Sequence, residues 1–225
     1  AMDYDPDMPT KIVVISLDDL KVVREFETSS FFAFHFSNAY EEGDELVADV
    51  CRTDKMGSMD ALRDVFADVE MEDDGSACFY RYRLNLATGE IDGHQHEGAL
   101  AGDFPMWDER RTGLKNEYAY TATMVENGTP YSFNALQKVE LATGRGQIYD
   151  LGPGRFTSEA LFIPRTPDAA EDDGWLIAVV FNAHSGKSEI CMVDARNMDR
   201  EVAIIHLDHH IPYGFHGHFA HQVFL

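Results

Sequence analysis

Two histidines stand where imidazole chemistry would be at home. His35 lies in the run Phe34-His35-Phe36-Ser37-Asn38-Ala39-Tyr40-Glu41, and His216 lies in Pro212-Tyr213-Gly214-Phe215-His216-Gly217. An imidazole inside an aromatic, strand-like run is buried and has to satisfy two ring nitrogens. One flanked by glycines can bring its backbone close to other segments without a Cβ clash, as a crowded metal centre requires. The plainer reading of either residue is a core histidine hydrogen-bonded to a backbone carbonyl.

The other histidines carry weaker signals. His206, His209, His210, His218 and His221 crowd the C-terminal stretch. Within a strand, the adjacent pair His209 and His210 would point to opposite faces and could not easily share one ion. His206 is expected at a strand end and His184 in an exposed turn. His94 and His96 form a spacing known from metal sites but have no third partner nearby in sequence, so a structural or substrate-proximal role is expected.

The elements that must position these residues read as strands. Short apolar runs alternate with turn signals over Ile12 to Leu17, Phe31 to Tyr40, Glu45 to Cys51, Phe79 to Leu86, Tyr118 to Val125, Ser132 to Leu141, Trp175 to Phe181 and Glu189 to Val193. Glu41-Glu42-Gly43-Asp44 predicts a hairpin turn. Met59, Leu62, Val65 and Phe66 recur at helical spacing and predict a small helical insertion over Ser58 to Val69. A repeat overlies this pattern. Arg83-Leu84-Asn85-Leu86-Ala87-Thr88-Gly89 returns as Lys138-Val139-Glu140-Leu141-Ala142-Thr143-Gly144 and, less closely, as Cys191 to Asn197. Each copy is a strand ending in a tight turn, and the period suits a four-stranded propeller blade. The chain is therefore expected to be all-β, about three to four blades of a larger ring with one helical insertion.

Composition narrows the function classes. A 225-residue chain with 44% apolar and 12% aromatic residues has the material for a core. Its net charge of −22 disfavours nucleic acid and anionic membrane surfaces as partners. The acidic groups fall in runs, Glu171 to Asp173 among them, that read as solvated turns. With lysine sparse, such a surface suits a salt-rich cytoplasm. Cys51, Cys78 and Cys191 lie far apart with no CxxC pair, which predicts buried free thiols. No transmembrane or signal segment is evident, so a cytoplasmic location is expected.

Four segments in order resemble the carotenoid cleavage oxygenase family of carotenoid, apocarotenoid and lignostilbene dioxygenases. They are Phe34 to Glu41; Asp103-Phe104-Pro105 with Arg110-Arg111 and Tyr118-Ala119-Tyr120; Ser158-Glu159-Ala160-Leu161-Phe162-Ile163-Pro164-Arg165 with Glu171-Asp172-Asp173-Gly174-Trp175-Leu176; and Tyr213-Gly214-Phe215-His216-Gly217. Ala160 stands where the family pattern has proline, and Asp103 where it has glutamate. The resemblance spans nearly the whole of residues 1–225 but only the C-terminal half of the family's usual length.

The resemblance implies a seven-bladed β-propeller with a nonhaem Fe(II) held by four histidines, using O2 to split an alkene into two carbonyls. His35 and His216 would be the third and fourth ligands, with Glu159 and Asp103 orienting them. Imidazole suits Fe(II), and such an ion keeps open positions for O2. The implied substrate is an apolar polyene or aryl-alkene, and the first two ligands would belong to an N-terminal half of the propeller missing here. The competing expectations are a truncated, noncatalytic propeller fragment serving as a binding or assembly module, and a metal-dependent hydrolase built on the histidine-rich C-terminus. Phe104, preceding Pro105, is expected to be extended.

Overall fold

The computed structural model describes residues 5–54, 77–125, 133–212 and 214–220. It opens with an antiparallel pair, β1 (Thr10–Ile15) and β2 (Val22–Thr28). Three four-stranded antiparallel sheets follow, each a simple meander. The first contains β3 (Phe32–Glu42), β4 (Glu45–Thr53), β5 (Cys78–Asn85) and β6 (Ile91–Gln95). The second contains β7 (Gly102–Met106), β8 (Tyr118–Thr123), β9 (Ala135–Glu140) and β10 (Arg145–Asp150). The third contains β11 (Arg155–Pro164), β12 (Gly174–Asn182), β13 (Lys187–Asp194) and β14 (Glu201–His206). Among the described residues the one helix is a 3-10 turn, Glu109–Arg111. The helix expected over Ser58 to Val69 lies outside the described residues. No described helix is long and apolar enough to cross a membrane.

The cores lie between sheets, because alternate residues of one strand serve two neighbours. On the second sheet, Ala119 and Val139 face Cys51 and Phe79 of the first. Tyr120 and Leu136 face Phe162, Leu176 and Val180 of the third. Val50, Tyr82 and Leu84, on the opposite face of the first sheet, pack with Ile12, Val14 and Phe26 of the β1–β2 pair. Sheets stacked face to face around their first strands, with β7 against both β3 and β11, make a partial β-propeller.

The sequence repeat maps to one place in each blade, the turn from third to fourth strand. Gly89 donates its N–H to the Asn85 carbonyl, Gly144 to Glu140 and Met198 to Asp194, all at 2.8–3.0 Å. The donor has a left-handed backbone each time, with φ of +85°, +70° and +53°. The third copy is therefore offset by one residue from the match read in sequence, since Met198 and not Asn197 occupies the glycine position. The β1–β2 turn repeats the pattern, with Leu20 N–H on the Ser16 carbonyl at 3.0 Å and φ +55° at Leu20.

Polar clamps fix adjacent blades. Asn38, buried on β3, donates to the Arg111 and Leu114 carbonyls and to Asn116 Oδ1, and accepts from Gly113 N–H. Arg110 chelates Asp108 and donates to the Pro167 and Ala169 carbonyls. The acidic run at 171–173 was expected to be solvated, but it works as an inter-blade clamp. Glu171 is buried and accepts from the Glu117 and Tyr118 amides at 2.6 and 2.9 Å. Asp172 receives the Lys138 ammonium at 2.8 Å. Its neighbour Asp173 pairs with Arg165 at 2.9 Å. Burial dominates at Glu171 and raises its carboxyl above the ordinary value.

Candidate functional site

The strands that pack at the centre of the blade array carry three of the four predicted site residues. His35 is on β3, Asp103 on β7 and Glu159 on β11, while His216 arrives on the segment that follows β14. Each of these strands breaks register at or beside the residue concerned. The β3–β4 ladder shifts between Phe32 and His35 and again between Phe36 and Ala39. The β7–β8 ladder shifts between Asp103 and Met106, and β11–β12 between Thr157 and Ala160, a gap that contains Glu159. A bulge re-aims a side chain that regular pleating would send elsewhere.

The four residues meet as two imidazole–carboxylate pairs. His35 Nδ1 lies 2.9 Å from Asp103 Oδ1, and His216 Nδ1 lies 3.1 Å from Glu159 Oε1. The two Nε2 atoms face each other at 3.1 Å with the rings nearly perpendicular, at 77°. Each carboxylate also takes a backbone amide: Phe104 N–H donates to Asp103 Oδ1 at 2.9 Å and Gly217 N–H to Glu159 Oε2 at 2.7 Å. With both Nδ1 atoms donating to carboxylates, both Nε2 lone pairs point into the same space. Two lone pairs at hydrogen-bond distance require an electrophile between them, either a proton on one ring or a cation shared by both. Among the described residues no set of three or more His, Cys, Asp or Glu, this group included, forms a cluster able to hold a metal ion.

The site is open on one side. The His35 and Asp103 side chains are 19% and 15% exposed, while that of His216 is 57% exposed. Phe34, Phe36 and Phe215 are exposed in the same runs. A cavity of about 600 Å³ adjoins His216 and Glu159, walled by Phe156, Ile177, Val179, Phe181 and Phe215. Cys51 sits opposite His35 in the β3–β4 ladder. Burial, and then the nearby Asp103 carboxylate, push its thiol well above the ordinary value, so it stays neutral.

Two details overturn sequence expectations. Phe104 is not extended: its φ is +55°, a left-handed conformation inside the β7 bulge. That geometry lays its ring against both imidazoles, at centroid distances of 4.8 Å from His35 and 5.8 Å from His216. The glycines beside His216 do not relieve crowding either. A Cβ at Gly217 would meet only Leu161 at an ordinary 3.8 Å, and one at Gly214 only the Pro212 carbonyl at 4.0 Å. Gly217 contributes its N–H, which any residue but proline carries, so the sequence marked the residue but not this role.

No other described histidine makes a ring contact or hydrogen bond with this centre, and His218 lines a separate cavity with Phe162 and Phe219. His206 ends β14 and contacts Glu189 at 3.1 Å, while His184 sits exposed in the β12–β13 turn. His209 and His210 fall outside any strand, and His221 is outside the described residues. His94 on β6 is exposed, whereas His96, just past the strand, is buried 3.6 Å from Asp49, a carboxylate already chelated by Arg81 at 2.8 Å. That group is a buried ion pair in the first blade. Cys51 and Cys191 are buried free thiols as expected, but Cys78 is only half-buried.

Known proteins resemble this chain in sequence and in architecture. The family described as retinal pigment epithelial membrane protein matches residues 1–221. A carotenoid 9,10(9',10')-cleavage dioxygenase of Pisum sativum is 38% identical over 215 residues, covering 90% of this chain and 39% of the relative. An apocarotenoid-15,15'-oxygenase of Synechocystis is 26% identical over 98% of this chain and 44% of its own length. The solved structure of a cobalt-substituted Synechocystis apocarotenoid oxygenase superimposes with a TM-score of 0.83 at 24% identity, covering 98% of this chain and 46% of that one. The chain thus spans about two-fifths of the length of the curated relatives it matches. Matched along nearly its whole length, and folded as part of the same propeller, this chain belongs to the retinal pigment epithelial membrane protein family, that of the carotenoid cleavage oxygenases.

Proposed function

We propose that this chain is the C-terminal portion of a nonhaem iron(II) dioxygenase that cleaves a C=C bond of a carotenoid, apocarotenoid or stilbene. One O2 and one alkene would yield two carbonyl products, with each fragment retaining one oxygen atom. The observation that carries the reading is the pair of Nε2 atoms 3.1 Å apart, each backed by a carboxylate on its own Nδ1. At the ~2.1 Å of an imidazole–zinc bond, two nitrogens about a right angle apart around one ion are separated by about 3 Å, so the pair fits a shared ion of that size. His35 and His216 would hold the metal, while Asp103 and Glu159 fix both tautomers and aim the rings. When bound, iron supplies the activation of O2. The open, phenylalanine-lined approach suits a substrate recognised by apolar contact and not by charge. The names of the relatives support the substrate class, and the cobalt-substituted oxygenase supports a metal in that neighbour.

Two imidazoles alone make half of the four-histidine site that the family resemblance implies, and the chain covers about two-fifths of its relatives. For this chain by itself, that favours a second reading, a noncatalytic propeller piece that binds or assembles. Both are tested by supplying an apocarotenoid to the protein in the longest form its gene encodes, with Fe(II), in air and without O2. The dioxygenase predicts two carbonyl products that require both iron and O2. Turnover indifferent to O2 would overturn the dioxygenase, and absence of both iron uptake and turnover would point to the noncatalytic module.

A further inference from the structure

His216 is delivered by a segment that forms no strand. After β14, residues 207–212 leave the edge of the third blade and residues 214–217 lie at the centre, where Glu159 holds the His216 ring and the Gly217 amide. Between these ends the hydrogen bonds of the segment's described residues go to Ser188, at the start of β13. The Ser188 carbonyl accepts from Leu207 N–H at 3.0 Å, and its own N–H donates to the His209 carbonyl at 3.1 Å. Its hydroxyl accepts from Ile211 N–H at 2.9 Å and approaches the Ile211 carbonyl at 3.5 Å. Ser188 is 1% exposed, and every polar group it has is directed to this segment. The nearby edge-to-face contact of His210 with Phe181 at 4.9 Å is a surface contact that could form at several registers. The Ser188 hydroxyl, by contrast, recognises one particular amide.

We propose that Ser188 is a positioning residue for His216. It sets the register of the returning segment, and hence where the imidazole meets Glu159 and His35. Only a small buried side chain that accepts a hydrogen bond can do this: alanine has no acceptor, and loss of the contact leaves the Ile211 amide without its partner. A metal-ligand ring has to be held within about 0.5 Å of its working place, so a slipped segment is felt at the centre. The metal part of the proposal rests on His216 being a ligand, whereas the geometric part does not.

The test uses the chain of 225 residues with Ser188→Ala and Ser188→Thr. Imidazole nitrogen shifts, with the His216 signal assigned from its loss in His216→Gln, report whether Nδ1 carries the proton held by Glu159. Cobalt(II) titration followed by visible absorbance reports the centre. Ser188→Ala should change the His216 nitrogen shifts and weaken cobalt binding about tenfold, the lower end of the range for lost ligand support. Ser188→Thr, which keeps the hydroxyl, should restore both. Should Ser188→Ala fail to fold, Ile211→Pro removes the same donor from the other side and should give the same changes. A Ser188→Ala or Ile211→Pro protein with unaltered His216 shifts would overturn the proposal. If the unsubstituted chain takes up no cobalt, the metal reading fails, while the nitrogen shifts still decide the role of Ser188.

Discussion

Each imidazole of the central pair is held by a carboxylate that also grips a backbone amide, so ring and main chain are fixed together. Asp103, one methylene shorter than the glutamate of the family pattern, reaches His35 at 2.9 Å from the edge of the β7 register break. Glu159 binds His216 Nδ1 through one oxygen and Gly217 N–H through the other. In Glu159→Gln one acceptor becomes an NH2 donor facing one of these N–H groups. Metal affinity should fall roughly 10- to 100-fold by titration with Fe(II) or Co(II), and unchanged affinity would remove Glu159 from the support of the centre. Phe104 offers a second check. A left-handed L-residue costs on the order of 1–2 kcal/mol, which glycine does not incur. Phe104→Gly should therefore be at least as stable as Phe104→Ala in urea unfolding, reversing the order usual in a strand, although both lose the ring that packs on the imidazoles.

At the scale of elements, the blade turns and the clamps between blades carry most of the specificity. Leu20 is 76% exposed and occupies the left-handed position that glycine fills at Gly89 and Gly144. Leu20→Gly should stabilise the protein by about 0.5–1 kcal/mol, measured by thermal or urea unfolding, since little side-chain burial is lost. The clamp at Glu171 predicts the opposite sign. Glu171→Ala leaves the Glu117 and Tyr118 amides without their acceptor and should cost about 1–3 kcal/mol for each amide that water cannot reach. Glu171→Gln keeps an acceptor oxygen and should cost less. Because burial raises the Glu171 carboxyl, the stability linked to its proton is fully present below the ordinary carboxylate range and is lost as pH rises through the elevated value. Glu171→Gln should flatten that decline in stability curves measured across pH. The turns were legible in sequence because each repeats a local rule, a strand followed by a left-handed residue. The clamps were not, because Glu171, Asn38 and Arg110 find partners more than fifty positions away and look like ordinary surface polar residues in their own neighbourhoods.

Across the whole molecule, a net charge of −22 means that the compact state is strained by its own field, even with local pairs such as Lys115 on Glu42. Lys115 and Arg83 hold the Glu42 carboxyl down to about 2. Raising NaCl from about 0.1 M to about 1 M shortens the Debye length from ~10 to ~3 Å and should raise the midpoint of thermal unfolding. A midpoint that does not move would mean that pairing already neutralises the field locally. The sequence by itself determined the strand content, the blade period, the family and the identity of four residues able to form one centre. Those features are local, being alternation, turn chemistry and short motifs, so they survive reading one segment at a time. Only the tertiary structure decided that three register breaks on neighbouring strands and one unladdered segment bring His35, Asp103, Glu159 and His216 within hydrogen-bond reach. It alone decided the left-handed Phe104 against both rings and the hold of Ser188 on the returning segment. The physical reason is that a bulge, a cross-blade hydrogen bond and a shared lone-pair direction depend on packing between segments distant in the chain, which no single segment encodes.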